Sequence, residues 1–242
     1  MNSSEGPDGL RLDSFLARAG VASRRGAQEL IREGRVSVDG TTVTGAGHRV
    51  FPGKSDVWVD GREARVLTEY LYLKMHKPRN CLTTVDDPHG RATVMDLLPS
   101  DMPRVFPVGR LDFDSSGLLL LTNDGRWAQQ VAHPKSGVRR VYRVQVEGCP
   151  EAGILRQLRE GIRLADGLAA FDAVEILSSA KRDSWLRVVL TEGRHREIRR
   201  MMVTVGHPVL AVERISLGQV MLGALKPGEW THMKTDEIEE FV

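Results

Sequence analysis

Residues 107–125 read PVGRLDFDSSGLLLLTNDG and place one arginine and two carboxylates, Arg110, Asp112 and Asp114, in a single short loop. Carboxylates can act as nucleophile, base or general acid, and a guanidinium nearby favours the ionised form that the first two roles need. The same residues could also form no more than an ion pair at a surface turn, so what holds the loop matters. A small-residue break, Ser115-Ser116-Gly117, leads into the apolar run 118–121, which the turn signal Asn123-Asp124-Gly125 closes. So short a run between turn signals predicts a fully buried strand rather than a helix. A rigid strand with a charged loop at its mouth is a common mounting for an active site.

The elements around it follow from patterning. Leu12, Phe15, Leu16 and Ala19 share one helical face that stops at Gly20, and a second helix capped at Ser23 carries Ala27, Leu30 and Ile31 as far as Gly34. Alternation then takes over in Val36-Ser37-Val38, with Asp39-Gly40 and Asp60-Gly61 as hairpin signals. Residues 63–70 form a short connection. A second unit opens on the strand 70–75, which enters a basic loop, His76-Lys77-Pro78-Arg79. Residues 93–98 suit a short helix, 126–132 a helix halted at Pro134, and 154–160 another. Strands are expected at 138–146, 174–177 and 185–190, the last two as antiparallel neighbours. GRHREIRRMM, residues 193–202, is the most basic island and opens a helix with Ile198, Met201 and Met202 on one face. A last β section runs through 209–212, 220–222 and Trp230 to an acidic tail. The expected fold is therefore α+β: a small N-terminal α/β unit over 10–67 and a larger, mainly antiparallel unit over 68–242, behind nine disordered residues.

Composition narrows the class without naming it. The chain has 242 residues, 27% charged and 41% hydrophobic, with a formal net charge of +2. That is ordinary soluble composition, and so small a net charge says little about partners. Two cysteines, Cys81 and Cys149, make neither a disulfide framework nor a complete zinc site and suit a reducing cytoplasm. No secretion signal and no apolar run long enough to cross a bilayer is visible, so no membrane association is expected. The histidines lack metal-ligand spacing and the glycines follow no nucleotide-binding pattern, so neither metal nor cofactor is expected.

The stretch RLDSFLARAGVASRRGAQELIREGRVSVDG resembles the S4 RNA-binding domain, with Asp39 where that family often has asparagine. The resemblance implies an α-turn-α unit that presents arginines to structured RNA. Arg11, Arg18, Arg24, Arg25 and Arg32 are the candidates, since clustered guanidinium groups can grip phosphates. A merely solvated helix face, balanced by Glu29 and Glu33, is the bland alternative.

Three further stretches, GRLDFDSSGLLLLTNDG, RRVYRVQVEG and LTEGRHREIRRMM, resemble in that order motifs of the RsuA/RluB-type pseudouridine synthases, in which an S4 domain precedes the catalytic domain. KPRNCLTTVDDPHGR is similar to that family's KPRGxxTTxxDPxGR, with Asn80 and Cys81 replacing commoner residues. The resemblance implies isomerisation of a uridine in ribosomal RNA, with the wording closer to the RluB branch and hence to the large subunit; the chain is expected to act as a monomer. It makes Asp112 the catalytic carboxylate, Tyr142 the ring packed on the target base, Arg199 the basic partner of Asp112, and Arg110 the arginine that holds the base out of its stack. Arg194 and Arg196 join the RNA-binding set. Asp114 is the competing carboxylate. A glycosidase using Asp112 and Asp114 as acid and base is disfavoured, because its acid needs a raised pKa in an apolar pocket. A non-catalytic RNA-binding assembly factor on the same scaffold is the other alternative.

Overall fold

The computed structural model describes residues 9–66, 69–133 and 136–241. The expected disorder before residue 10 falls mostly outside these residues, as do the expected boundary at 67–68 and the helix stop at Pro134. The chain divides into two compact units. One runs as far as Leu71 and takes in Pro103–Val105 and Asn123–Gly125; the other holds Tyr72–Met102, Phe106–Thr122 and the chain from Arg126 on.

The first unit contains β1 (Leu10–Arg11), α1 (Leu12–Arg18), α2 (Arg24–Arg32), β2 (Val36–Val38), β3 (Thr41–Thr42), β4 (Arg49–Val50), β5 (Val57–Val59) and β6 (Arg62–Glu63). The Ser23 hydroxyl accepts from the Gly26 amide at 3.0 Å and caps α2 as expected, a contact worth about 1 kcal/mol. Asp39 and Asp60 sit at φ 50° and 49°, each followed by a glycine at positive φ. That left-handed pair is what a two-residue hairpin needs, and it folds β2 onto β3 and β5 onto β6. Leu12, Phe15, Leu16, Ala27 and Ile31 pack on Val36, Val38, Val50, Val57 and Val59 as one core.

The second unit is built on one sheet. Its elements are β7 (Tyr72–Lys77), a 3-10 turn at Val94–Leu97, β8 (Phe106–Val108), β9 (Ser116–Thr122), α3 (Gly125–Ala132), β10 (Arg140–Glu147), α4 (Ala152–Glu160), β11 (Ile162–Leu164) and β12 (Gly167–Ala169). There follow β13 (Ala173–Ser179), β14 (Asp183–Leu190), α5 (Glu197–Thr204), β15 (Val209–Leu217), β16 (Val220–Met221), β17 (Trp230–His232) and α6 (Thr235–Glu239). The order is β13-β14-β10-β15-β9-β7-β17, with β16 on β15 and β8 on β9. Among these strands β9 and β15 form the one parallel pair; the rest are antiparallel. Leu118–Leu121 are fully buried, as the apolar run predicts. Leu118 and Leu120 pack with Trp127, Val131 and Leu217.

Three details differ from the sequence reading. β7 runs through His76 and Lys77, which are buried strand residues and not part of the basic loop. They can be buried because His76 Nδ1 meets the Leu225 carbonyl at 2.8 Å and the Lys77 ammonium finds carbonyls of its own. The β11–β12 hairpin was not anticipated, although Asp166-Gly167 supplies the turn signal. The acidic tail forms α6, whose start is closed by Glu237 accepting from the Lys234 amide at 3.0 Å.

Candidate active site

The loop 109–115 is fixed from below by a single buried ammonium. Lys77 Nζ donates to the carbonyls of Pro78 (3.0 Å), Asp112 (3.1 Å) and Ser115 (2.8 Å). Burial depresses its pKa to about 8, against the pull of Cys81, Asp112 and Asp114. The KPRNCLTT segment holds the loop from the side: Thr83 Oγ1 donates to the Leu111 carbonyl at 2.8 Å and the Asn80 amide to the Phe113 carbonyl at 2.8 Å. Asn80 has φ 58°, a left-handed conformation that asparagine adopts more readily than most residues. Its departure from the glycine of the resembled motif therefore keeps the backbone shape.

The loop ends at Gly117, where the parallel neighbour β15 comes in. Gly117 has φ 107°, and a Cβ there would lie 2.3 Å from the Arg214 carbonyl oxygen. Only glycine lets β15 approach this closely.

Arginines from the start of α5 face the carboxylates. Arg196 forks onto Asp114 at 3.0 and 3.1 Å and reaches Asp112 at 4.0 Å. Arg199 pairs with Asp114 Oδ2 at 3.2 Å and donates to the Asp114 and Val209 carbonyls. Burial works against the Asp114 carboxylate, but Arg196 and Arg199 hold its pKa below the ordinary range. The expected direct pair of Arg199 with Asp112 is thus not what the structure contains. Arg199 holds Asp114, and Arg196 links the two carboxylates. The loop that carries both carboxylates is a tight turn, with the Ser115 amide donating to the Asp112 carbonyl at 3.1 Å. Arg196 itself adopts φ 50° as the N-cap of α5, a strained backbone of the kind found at functional sites.

Asp112, Tyr142, Arg199 and Arg110 line one cleft of about 250 Å³, together with Arg194, Arg196, Leu190, Ile198 and Val212. That is below the usual range for drug-sized ligands and suits a single small group. Tyr142 is buried in β10 and forms part of the wall. Arg110 is exposed, and among the described residues its side chain makes no ion pair or hydrogen bond. Arg194 is committed locally, to Glu192 at 3.2 Å and to buried Glu197 at 3.9 Å. Among the described residues no three His, Cys, Asp or Glu side chains gather into a group that could hold a metal ion. Among them, too, no helix is long and apolar enough to cross a membrane.

In the first unit the expected arginines divide. Arg11 and Arg24 pair with Asp13 at 3.3 and 3.4 Å. Asp13 is fully buried; burial raises its pKa, but a 2.8 Å hydrogen bond from Gln28 and the two arginines bring it to about 2. Arg25 and Arg32 are exposed and Arg18 half-buried, and among the described residues their side chains have no such partner.

Sequence reasoning missed Lys77, the pairing of Asp114, and Arg214. The signal for Arg214 was present. It replaces an apolar residue at an inward position of the alternating strand VLAVERISL, between buried Val212 and Ser216.

Comparison with known proteins places this geometry. The S4 domain family matches residues 10–54, and the RNA pseudouridylate synthase family matches residues 71–204. The chain belongs to the RNA pseudouridylate synthase family. Ribosomal large subunit pseudouridine synthase B of Bacillus subtilis is 38% identical over 95% of this chain and 94% of its own length. The protein of that name from Salmonella typhimurium is 40% identical over 92% of this chain and 79% of its own. An uncharacterised RNA pseudouridine synthase of Mycobacterium tuberculosis is 40% identical over 97% and 94%. A pseudouridylate synthase crystal structure superimposes with a TM-score of 0.67 at 26% identity, covering 97% of this chain and all of the other.

Proposed function

We propose that the protein converts a uridine of large-subunit ribosomal RNA to pseudouridine, with Asp112 as the working carboxylate. The observation that carries this is the cleft itself. It brings Asp112, a tyrosine ring and a set of arginines to one small space, in a chain whose relatives in Bacillus and Salmonella bear the name of large-subunit synthases. The reaction breaks the N1–C1′ bond and joins C1′ to C5; the C5 hydrogen leaves as a proton and N1 gains one, with no net oxidation. The uracil must therefore be detached, kept and turned.

The residues suit those tasks. Asp112 supplies the nucleophile or base, at uracil C6, at ribose C1′ or at a ribose proton. Tyr142 offers a ring face to the base, a contact of about 1–3 kcal/mol per base. Extruding a base costs a few kcal/mol, and the exposed, unpaired Arg110 can offset this while the base is out of its stack. Arg199 and Arg196 set the electrostatics through Asp114. Asp114 does not suit the acid of a glycosidase, because its pKa is lowered where a general acid needs it raised.

The test uses ribosomal RNA transcripts carrying tritium at uridine C5. Release of tritium to water supports the proposal, and mapping pseudouridines in rRNA from cells lacking the protein names the site. Binding without release would mark a non-catalytic assembly factor and overturn the activity.

A further inference from the structure

We infer that Arg214 is a positioning residue for this reaction: its buried guanidinium locks the Tyr142 ring to the strand that carries the Asp112 loop. The inference rests on the proposed activity and deepens it.

Arg214 is 3% exposed, in the middle of β15. Its strand lies between the two that carry the reacting groups, β9 on one side and β10 on the other. Across the antiparallel pair it stands directly opposite Tyr142, and across the parallel pair directly opposite Gly117. Residues opposite one another on adjacent strands share a face of the sheet. Arg214 Nε donates to the Leu118 carbonyl at 2.8 Å, the first residue beyond the break that ends the Asp112 loop. The hydroxyl of Tyr142 faces the same guanidinium and favours its charged form, against the burial that opposes it. One planar, rigid fork is therefore hydrogen-bonded to the backbone that follows the Asp112 loop and stands across the strand pair from Tyr142.

Two features say that this residue does more than fill space. A fully buried guanidinium is costly to desolvate, and Arg214 Nη2 has no hydrogen-bond partner among the described residues. An apolar residue would suit the same-face neighbour Val212 better if packing were the only requirement. The register of β10 on β15 also shifts between Val141 and Tyr142, and such a bulge re-aims a side chain next to a site. The phenol would otherwise be free to slide along the wall of the cleft. Tethered at its hydroxyl, the ring stays parallel to the base while the base turns over Asp112.

The experiment is a double-mutant cycle on the full chain, with tritium release measured in single turnovers at saturating rRNA fragment, alongside KM and thermal unfolding. Arg214→Met is expected to slow the single-turnover rate by about 100-fold, the scale of an ångström-sized misplacement, while KM stays nearly unchanged. Arg214→Lys should recover part of the rate. In a Tyr142→Phe background, Arg214→Met should change the rate by no more than about twofold, the limit of independent behaviour, because the hydroxyl it acts through is gone. The same large loss in both backgrounds overturns the inference, as does a loss that appears in KM alone. Should Arg214→Met fail to fold, Arg214→Lys takes its place in the cycle with the same criteria. Wild-type protein that releases no tritium overturns the proposed activity and this inference together; active wild type with independent losses overturns this inference alone.

Discussion

Two regions of this molecule concentrate arginine, and they use it in opposite ways. On the first unit, Arg25 and Arg32 stand in water and Arg18 is half-buried, all without side-chain partners among the described residues; Arg11 and Arg24 reach down to one buried carboxylate, Asp13. In the second unit, half-buried Arg199 at the cleft and buried Arg214 behind it donate to backbone carbonyls, and Arg199 also pairs with Asp114. Exposed guanidinium groups contribute little to the fold, about 0–1 kcal/mol per pair, but are available to phosphates. Buried ones are expensive to desolvate and repay it by fixing geometry. The same residue type is thus a handle in one region and a clamp in the other, and exposure decides which.

The sharpest way to break that contrast is in the cleft. Asp112→Asn keeps the shape of the loop, including the carbonyl that Lys77 holds, and removes only the charge. It should lower turnover by at least ~10³-fold, the scale of a lost base or nucleophile, with RNA affinity nearly unchanged. Turnover by rigorously purified Asp112→Asn protein would move the chemistry elsewhere, with Asp114 next in line.

Arg199→Met comes next, with an expected loss of about 10²-fold in the chemical step and little change in binding. Since Arg199 acts through Asp114, Asp114→Asn should lose a similar amount, and the two changes together should cost little more than either alone. Arg199→Lys should restore part of the rate, because a point charge remains without the planar fork. A mutant that binds weakly yet reacts normally when saturated would make Arg199 a handle after all.

The clamp at Lys77 should show itself in the pH profile. Below about pH 8 the ammonium has one proton for each of its three carbonyls; above it, two protons serve three. The single-turnover rate should therefore fall on the alkaline side with a midpoint near 8. The sign for stability is the reverse. Between about 8 and the ordinary 10.5, the unfolded chain binds more protons at this lysine than the folded one, so this group makes folding more favourable as pH rises. Rate loss with the folded state intact, followed by circular dichroism across the same range, is the expected result; coincident unfolding would refute it.

The smallest effect belongs to the handles. Arg25→Ala should flatten the log–log salt dependence of RNA binding by about 0.7–0.9 and raise KM modestly, leaving the saturated single-turnover rate and thermal stability in place. Arg24→Ala should do the same with a slight loss of stability, because it also leaves Asp13 with one ion-pair partner fewer. An unchanged slope for both would leave RNA selection wholly to the catalytic unit.

Much of this was readable in advance, for local reasons. A helix cap at Ser23, Asp-Gly pairs at 39–40 and 60–61, and an apolar run closed by Asn123-Asp124-Gly125 each act within a few residues, so the chain states them directly. The motif order likewise led to Asp112, Tyr142, Arg110 and Arg199 as lining residues of one cleft. The misplaced end of β7 depends on distant partners, and the unforeseen α6 on a local cap. In both, polar residues read as loop or tail because the carbonyls and amides that satisfy them come from elsewhere in the fold or from a capping contact.

What the sequence by itself determined, then, is most of the elements, the class of protein and the kinds of side chain at its cleft. Tertiary structure alone decided which charges meet. Arg199 and Asp114 are far apart along the chain, as are Arg214 and Leu118 and Lys77 and Ser115. Their pairing depends on β15 lying parallel against β9 at Gly117 and on α5 folding its first turn over the loop. Spacing along a strand tells which face a residue takes. Whether a charge on that face is solvated, or buried with partners that turn it into a clamp, depends on which distant strand or helix covers it.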